Sequence, residues 1–143
     1  MTSYKHGSHT VYDLRYHIVW ITKYRYHVMV GDIAVKCRDY IREICKAREV
    51  GILSGKVGKD HVHMYVSIPP FLSVSKVVQY IKGKSSRKLL SEYKDLQRRY
   101  WGQHLWARGY FVTSVGEIND EIIRKYIEGQ HEHHDDSEFT IDV

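Results

Sequence analysis

The order of periodicities along the chain predicts an α+β fold of ferredoxin-like, RRM-like type: a βαββαβ antiparallel sheet with two packed helices and an extra C-terminal helix. Three observations predict it. Residues 12–21 alternate in polarity at the two-residue period of a strand; residues 32–50 and 73–90 carry apolar side chains at helical spacing; and two short strand-like runs lie between those helices. With 143 residues, 43% of them hydrophobic and 27% charged, the chain suits one compact core. It is read as a single domain over residues 1–143, with a core at 12–131 and an acidic tail at 132–143.

In the first strand, Tyr12, Leu14, Tyr16, Ile18 and Trp20 fall on one face and Asp13, Arg15 and His17 on the other. That is the pattern of a strand buried on one side. A basic aromatic loop follows at 23–27. Between 32 and 50, Ala34, Cys37, Ile41, Ile44 and Cys45 recur at helical spacing, with Lys36, Arg38, Arg42 and Glu43 elsewhere, so the helix is amphipathic. Residues 51–59 and 61–68 read as a hairpin turning at 58–60, stopped by Pro69 and Pro70. Ser73 occupies the capping position of the second helix, whose apolar side is Val74, Val77, Val78, Ile81, Leu89 and Leu90. A fourth strand is expected at 110–115, ended by Gly116, and Asn119 caps a last helix running to about His131. The sheet face away from the two packed helices is left for a site or for that last helix.

The formal charge is +5, but five of the 17 acids lie within residues 131–143, which hold no Lys or Arg. The remainder is therefore distinctly basic, which favours a polyanionic partner such as nucleic acid. Between Lys82 and Arg108 the cations are interleaved with Tyr93, Tyr100, Trp101 and Trp106. Cations mixed with aromatics suit single-stranded nucleic acid, whose phosphates need neutralising and whose bases need a flat partner; the same aromatics could equally pack inward. Lys82, Lys84, Arg87 and Lys88 are the DNA-binding candidates. No apolar stretch is long enough to span a bilayer and the first ten residues are polar, so a cytoplasmic protein without membrane contact is expected. Cys37 and Cys45, eight apart in a helical pattern, read as small buried hydrophobes.

His61 and His63 on the third strand share a face at the two-residue period, roughly 6–7 Å apart, and could hold a cation between them if a third ligand joined them. On the last helix Tyr126 and Gln130 are four apart and so project on one side. Tyr126 is also one of twelve tyrosines and could simply pack beside Ile122, Ile123 and Ile127. The cluster His131, Glu132, His133 and His134 lacks the HExxH spacing of a zinc helix and reads as a solvated tail.

Together, the run Asp60-His61-Val62-His63-Met64, the segment from Leu105-Trp106-Ala107-Arg108-Gly109 to Val112, Ser114-Val115-Gly116, and a helix bearing Tyr126-Ile127 and Gln130 resemble the single-tyrosine HUH transposases of small bacterial insertion sequences. Tyr16-His17-Ile18-Val19-Trp20 followed by Thr22-Lys23-Tyr24-Arg25 resembles that family's first strand, and the likeness spans about residues 12–131. The resemblance implies that Tyr126 attacks a phosphodiester of single-stranded DNA, leaving a 5′-phosphotyrosine and a free 3′-OH. It implies that His61, His63 and Gln130 hold one divalent cation, Mg²⁺ or Mn²⁺. It further implies a homodimer with active sites shared between chains, and recognition of DNA hairpins at element ends. The competing readings are a non-catalytic nucleic-acid-binding module of the same fold, which would make no use of the histidines or Tyr126, and a domesticated relative acting on chromosomal repeats. A hydrolytic metal phosphoesterase fits less well, because no general base accompanies the histidines.

Overall fold

In the structure, a computed structural model, residues 4–7, 9–114 and 120–132 are described, except for the side chains of residues 120 and 130–132. Two short strands, β1 (Lys5–His6) and β2 (Val11–Tyr12), pair with each other. The main sheet consists of β3 (Arg15–Ile21), β4 (Gly51–Val57), β5 (His61–Ser67) and β6 (Phe111–Thr113) in the order β4-β5-β3-β6, with every neighbouring pair antiparallel. The helices are α1 (Gly31–Ala47), α2 (Val74–Glu92), α3 (Lys94–Arg99) and α4 (Asp120–Glu132). The first and third strands of the βαββαβ unit lie at the centre of the sheet, the ferredoxin-like arrangement expected from the sequence.

Alternation decides which face is which. Ile18 and Trp20 of β3, with Val62, Met64 and Val66 of β5, are buried in a core completed by Cys37, Ile41, Ile44 and Cys45 of α1 and Val77, Val78, Ile81 and Leu89 of α2. Each fully buried aliphatic side chain contributes about 1.5–3 kcal/mol. Burial pushes both thiols up to about 12, so Cys37 and Cys45 stay protonated and act as small apolar groups. Ser73 caps α2, its hydroxyl accepting from the Lys76 N–H at 3.1 Å. At the far end of the core, Trp106 lies edge-on to Trp20 and donates its indole N–H to the Ser85 hydroxyl at 2.9 Å.

Most element ends shift by a few residues, and three larger differences from the sequence expectation stand out. The strand expected over 12–21 is divided, because Arg15 folds back on Asp13 with two hydrogen bonds of 2.6 and 2.9 Å and Val11–Tyr12 pairs with Lys5–His6 instead of the main sheet. Helix α3 was not foreseen: six residues burying one apolar side chain, Leu96, leave no periodicity to detect. Strand β6 is three residues long where six were expected. Val115, Gly116, Asn119, His133, His134 and the rest of the acidic tail lie outside the described residues.

Candidate active site

The second sheet face is built by the residues that alternate with the core. Register pairs Val19 with His63 and Ile21 with His61, and sets His17 opposite Tyr65. Helix α4 packs on this same face: Ile123, Tyr126 and Ile127 form a second apolar cluster with Val19 and Ile21, joined by Ala107 and Phe111. Histidines and the tyrosine helix thus share one face. Between β5 and α4 lies a cleft of about 470 Å³ lined by His61, His63, Asp60 and Arg25 on one side and by Ile123, Arg124, Ile127 and Glu128 on the other.

Each histidine has a ring partner. His61 Nδ1 lies 2.9 Å from Asp60 Oδ1. A carboxylate only accepts, so Nδ1 carries the proton and Nε2 carries the lone pair. His63 Nε2 lies 3.1 Å from Nδ1 of the buried His17, whose ring in turn stacks on Tyr65 with centroids 4.3 Å apart. Asp60 is held from its other side by Arg25 Nε at 3.2 Å. Burial alone would raise the Asp60 carboxyl, but hydrogen bonds from His61 and Arg25, with the guanidinium charge, outweigh it and hold the group below the ordinary carboxylate value. In the sequence, His17, Arg25 and Asp60 belong to motifs but carry no role of their own. The only local signals were the position of His17 on the polar side of its strand and of Asp60 directly before His61.

The loop that delivers Arg25 is unusual. Tyr24 and Arg25 both adopt left-handed backbone, with φ of 63° and 53°; for residues bearing a Cβ this costs about 1–3 kcal/mol each. It persists because the loop is laced to the β4–β5 turn: the Thr22 N–H donates to Asp60 O at 2.9 Å, the Thr22 hydroxyl to Tyr26 O at 2.8 Å, and the Met29 N–H to Lys59 O at 2.9 Å.

Tyr126 is 1% exposed, its ring 5.9 Å from that of Phe111, and burial raises the phenol's pKa. The packing alternative noted from sequence is thus how the side chain sits here. Gln130 lies within α4, but its side chain is outside the described residues. Among the described residues, no group of three His, Cys, Asp or Glu side chains converges in a metal-binding arrangement. Imidazole nitrogen is a donor that divalent cations accept, so His61 and His63 would make at most a partial ligand set that needs a further oxygen.

A second, larger groove of about 1370 Å³ runs beside α2, lined by Lys23, Arg87, Lys94 and Arg108 together with His104 and Trp106. The four basic candidates separate here. Arg87 lines the groove and Lys84 is exposed on α2. Lys88 turns toward α1, 4.8 Å from the Tyr40 ring and 3.8 Å from Glu43. Lys82 also borders the groove, but donates to Ala107 O at 2.7 Å and Gly109 O at 3.0 Å, tying down the loop before β6. Of the interleaved aromatics, Tyr100 and Trp106 are buried, Tyr93 packs against the core, and Trp101 stands 85% exposed.

Residues 10–130 match the family model described as transposase, IS200 like. The ISDra2 transposase TnpA of Deinococcus radiodurans is 36% identical over 128 residues, which is 90% of this chain and 91% of that one. The transposase for insertion sequence element IS200 of Salmonella typhimurium is 38% identical over 123 residues, covering 86% and 80%. Among solved structures, one of a Deinococcus radiodurans transposase superposes with a TM-score of 0.80 at 35% identity, over 89% of this chain and 98% of that one. A REP-associated tyrosine transposase bound to a REP hairpin shares the fold, with a TM-score of 0.55 at 14% identity over 89% and 70%.

Burial lowers the Lys82 ammonium from 10.5 to about 8. The folded state therefore carries the cost of a buried charge at low pH and sheds it as pH rises, while the unfolded chain binds more protons between about pH 8 and 10.5. Across that window the stability of wild type relative to Lys82→Met should increase with pH in denaturant unfolding. A difference that stays flat would contradict a buried ammonium at this position.

Proposed function

The chain belongs to the IS200-like transposase family, and from that premise we propose that it cleaves and rejoins single-stranded DNA at insertion-sequence ends with Tyr126 as nucleophile. The observation that carries this reading is the placement of His61, His63 and the Tyr126 helix on one sheet face around one cleft. His61, through Nε2, and His63 would hold one Mg²⁺ or Mn²⁺, with the Gln130 amide oxygen as third ligand. A divalent cation there would polarise the scissile phosphoryl oxygen and offset charge developing in the transition state.

The chemistry conserves bond energy. The Tyr126 oxygen forms a bond to phosphorus as the bond to the 3′ oxygen breaks; the phenol loses its proton and the departing 3′ oxygen gains one. The product is a 5′-phosphotyrosine and a 3′-OH, and attack by a second 3′-OH reverses the exchange without ATP. The phenol is buried and does not line the cleft, so attack on a phosphodiester there would require α4 to shift. Its hold on the sheet is modest, chiefly Ile123, Tyr126 and Ile127 against Val19, Ile21 and Phe111. A helix so attached could also be exchanged between the chains of a homodimer, giving active sites shared between subunits. Lys56 and Arg124 line the cleft as candidate phosphate contacts beside Glu121 and Glu128, while Arg25 is engaged by Asp60.

The groove beside α2 is the proposed path for the DNA, with Arg87, which lines it, as a phosphate contact and Lys84 exposed outside the lining on the same helix; a hairpin end is the favoured substrate, by analogy with the hairpin-bound structural neighbour. The cytoplasm is the expected location, and no helix among the described residues is long and apolar enough to cross a membrane.

With single-stranded DNA from the element's ends and Mg²⁺ or Mn²⁺, wild type should form a covalent adduct stable on a denaturing gel, and Tyr126→Phe and His61→Ala should each form none. Adduct formation by Tyr126→Phe would sink the assignment. Binding measured against salt concentration should lose about 0.7 of log–log slope in Arg87→Ala, the value for one phosphate contact on a single strand. Lys88→Ala, whose ammonium faces Tyr40 and Glu43, should keep the wild-type slope; the opposite ranking would remove this groove from the interface.

A further inference from the structure

We propose that Arg25 and Asp60 are positioning residues that fix the tautomer and orientation of His61, and that the left-handed turn at Tyr24 and Arg25 is retained to deliver that relay. The proposal rests on the reading of His61 as a metal ligand.

Two restraints act on the His61 imidazole directly, and a third backs the first of them. Asp60 Oδ1 accepts from Nδ1 at 2.9 Å, which leaves Nε2 as the ligating nitrogen. Asp60 is itself oriented through Oδ2 by Arg25 at 3.2 Å, so the carboxylate has both oxygens engaged and little freedom to rotate. On another side of the ring, a Cβ built on Gly58 would lie 2.3 Å from His61 Cε1, closer than any real contact, so the ring occupies space that only a glycine at the turn leaves open. The Gly58 N–H donates to His61 O at 2.7 Å, tying the turn to the same residue.

The loop geometry explains why the strain is tolerated. Arg25 can reach Asp60 because the chain reverses through two left-handed residues directly after β3, and the Thr22 and Met29 hydrogen bonds lock that reversal onto the backbone of Lys59 and Asp60. The loop and the histidine hairpin are therefore tied together through their backbones. A hydrogen-bonded carboxylate behind a ligating imidazole raises its basicity and holds the ring in place, and losing such a partner typically weakens metal binding 10–100-fold. His63 is supported differently, by the His17 ring, so the two ligands should respond separately to substitution.

The test uses the full chain in two measurements. Long-range ¹⁵N–¹H spectra of the metal-free protein, taken with the imidazole neutral, read the His61 tautomer, and titration with Mn²⁺ followed by its EPR signal reads affinity. Wild type should show the Nδ1–H form of His61. Asp60→Ala should lose that uniform tautomer and bind Mn²⁺ about 10–100-fold more weakly. Asp60→Asn should not rescue either readout: Arg25 can only donate and takes the amide oxygen, so the amide N–H faces Nδ1 and donates, which favours the Nε2–H form and weakens Mn²⁺ binding. Arg25→Met, with Asp60 intact but unanchored, should fall between wild type and the Asp60 variants. If Asp60→Ala and Arg25→Met both keep the wild-type tautomer and affinity, the positioning role is overturned while the metal site stands. If wild type itself binds no Mn²⁺, the functional reading fails and takes this role with it.

Discussion

The two-residue alternation of the central strands is the constraint on which the molecule depends. Because Ile18 and Trp20 on β3 pair beside Val62, Met64 and Val66 on β5, the intervening His17, His61 and His63 are committed to the opposite face. A slip of one residue in either strand would bury imidazoles against α1 and α2 and expose the core, so the hydrophobic pattern that fixes register also assembles the site. Packing energy spent on one face thereby holds geometry on the other. Helix α4 then has a single place to bury Ile123 and Ile127, over Val19 and Ile21, and this brings the tyrosine helix to the histidines.

How much of this could be read beforehand follows from the range of each interaction. Strand alternation and helical spacing are local, and the four main strands, the two packed helices and the pairing of His61 with His63 on one face were legible from them. The contacts that tune the site are not local. His17 meets His63 across 46 positions and Arg25 meets Asp60 across 35, and no spacing rule links such pairs. The surroundings of each cation are non-local in the same way. Lys82 and Lys88 carry the same formal charge as Arg87, yet one is engaged by two backbone carbonyls and another by an acid and an aromatic ring of α1. Composition records a cation but not what already neutralises or buries it.

The environment of Tyr126 was equally beyond the sequence. A tyrosine among isoleucines on a helix is compatible with a nucleophile or with a packing residue, and here it is packed. In the proposed mechanism these are two states of one side chain: the same apolar cluster that shields the phenol and disfavours its ionisation is what α4 must leave for reaction to begin. The face also holds a competitor, since Tyr65 is half-buried on β5, two residues from His63 and stacked on His17.

Identifying the DNA-linked residue therefore tests the central claim most directly. The covalent adduct would be digested with nuclease and trypsin, and the tyrosine bearing the nucleotide remnant located by tandem mass spectrometry. The account predicts the remnant on Tyr126, in a peptide that begins after Lys125. A remnant on Tyr65, or on any other of the twelve tyrosines, would contradict it.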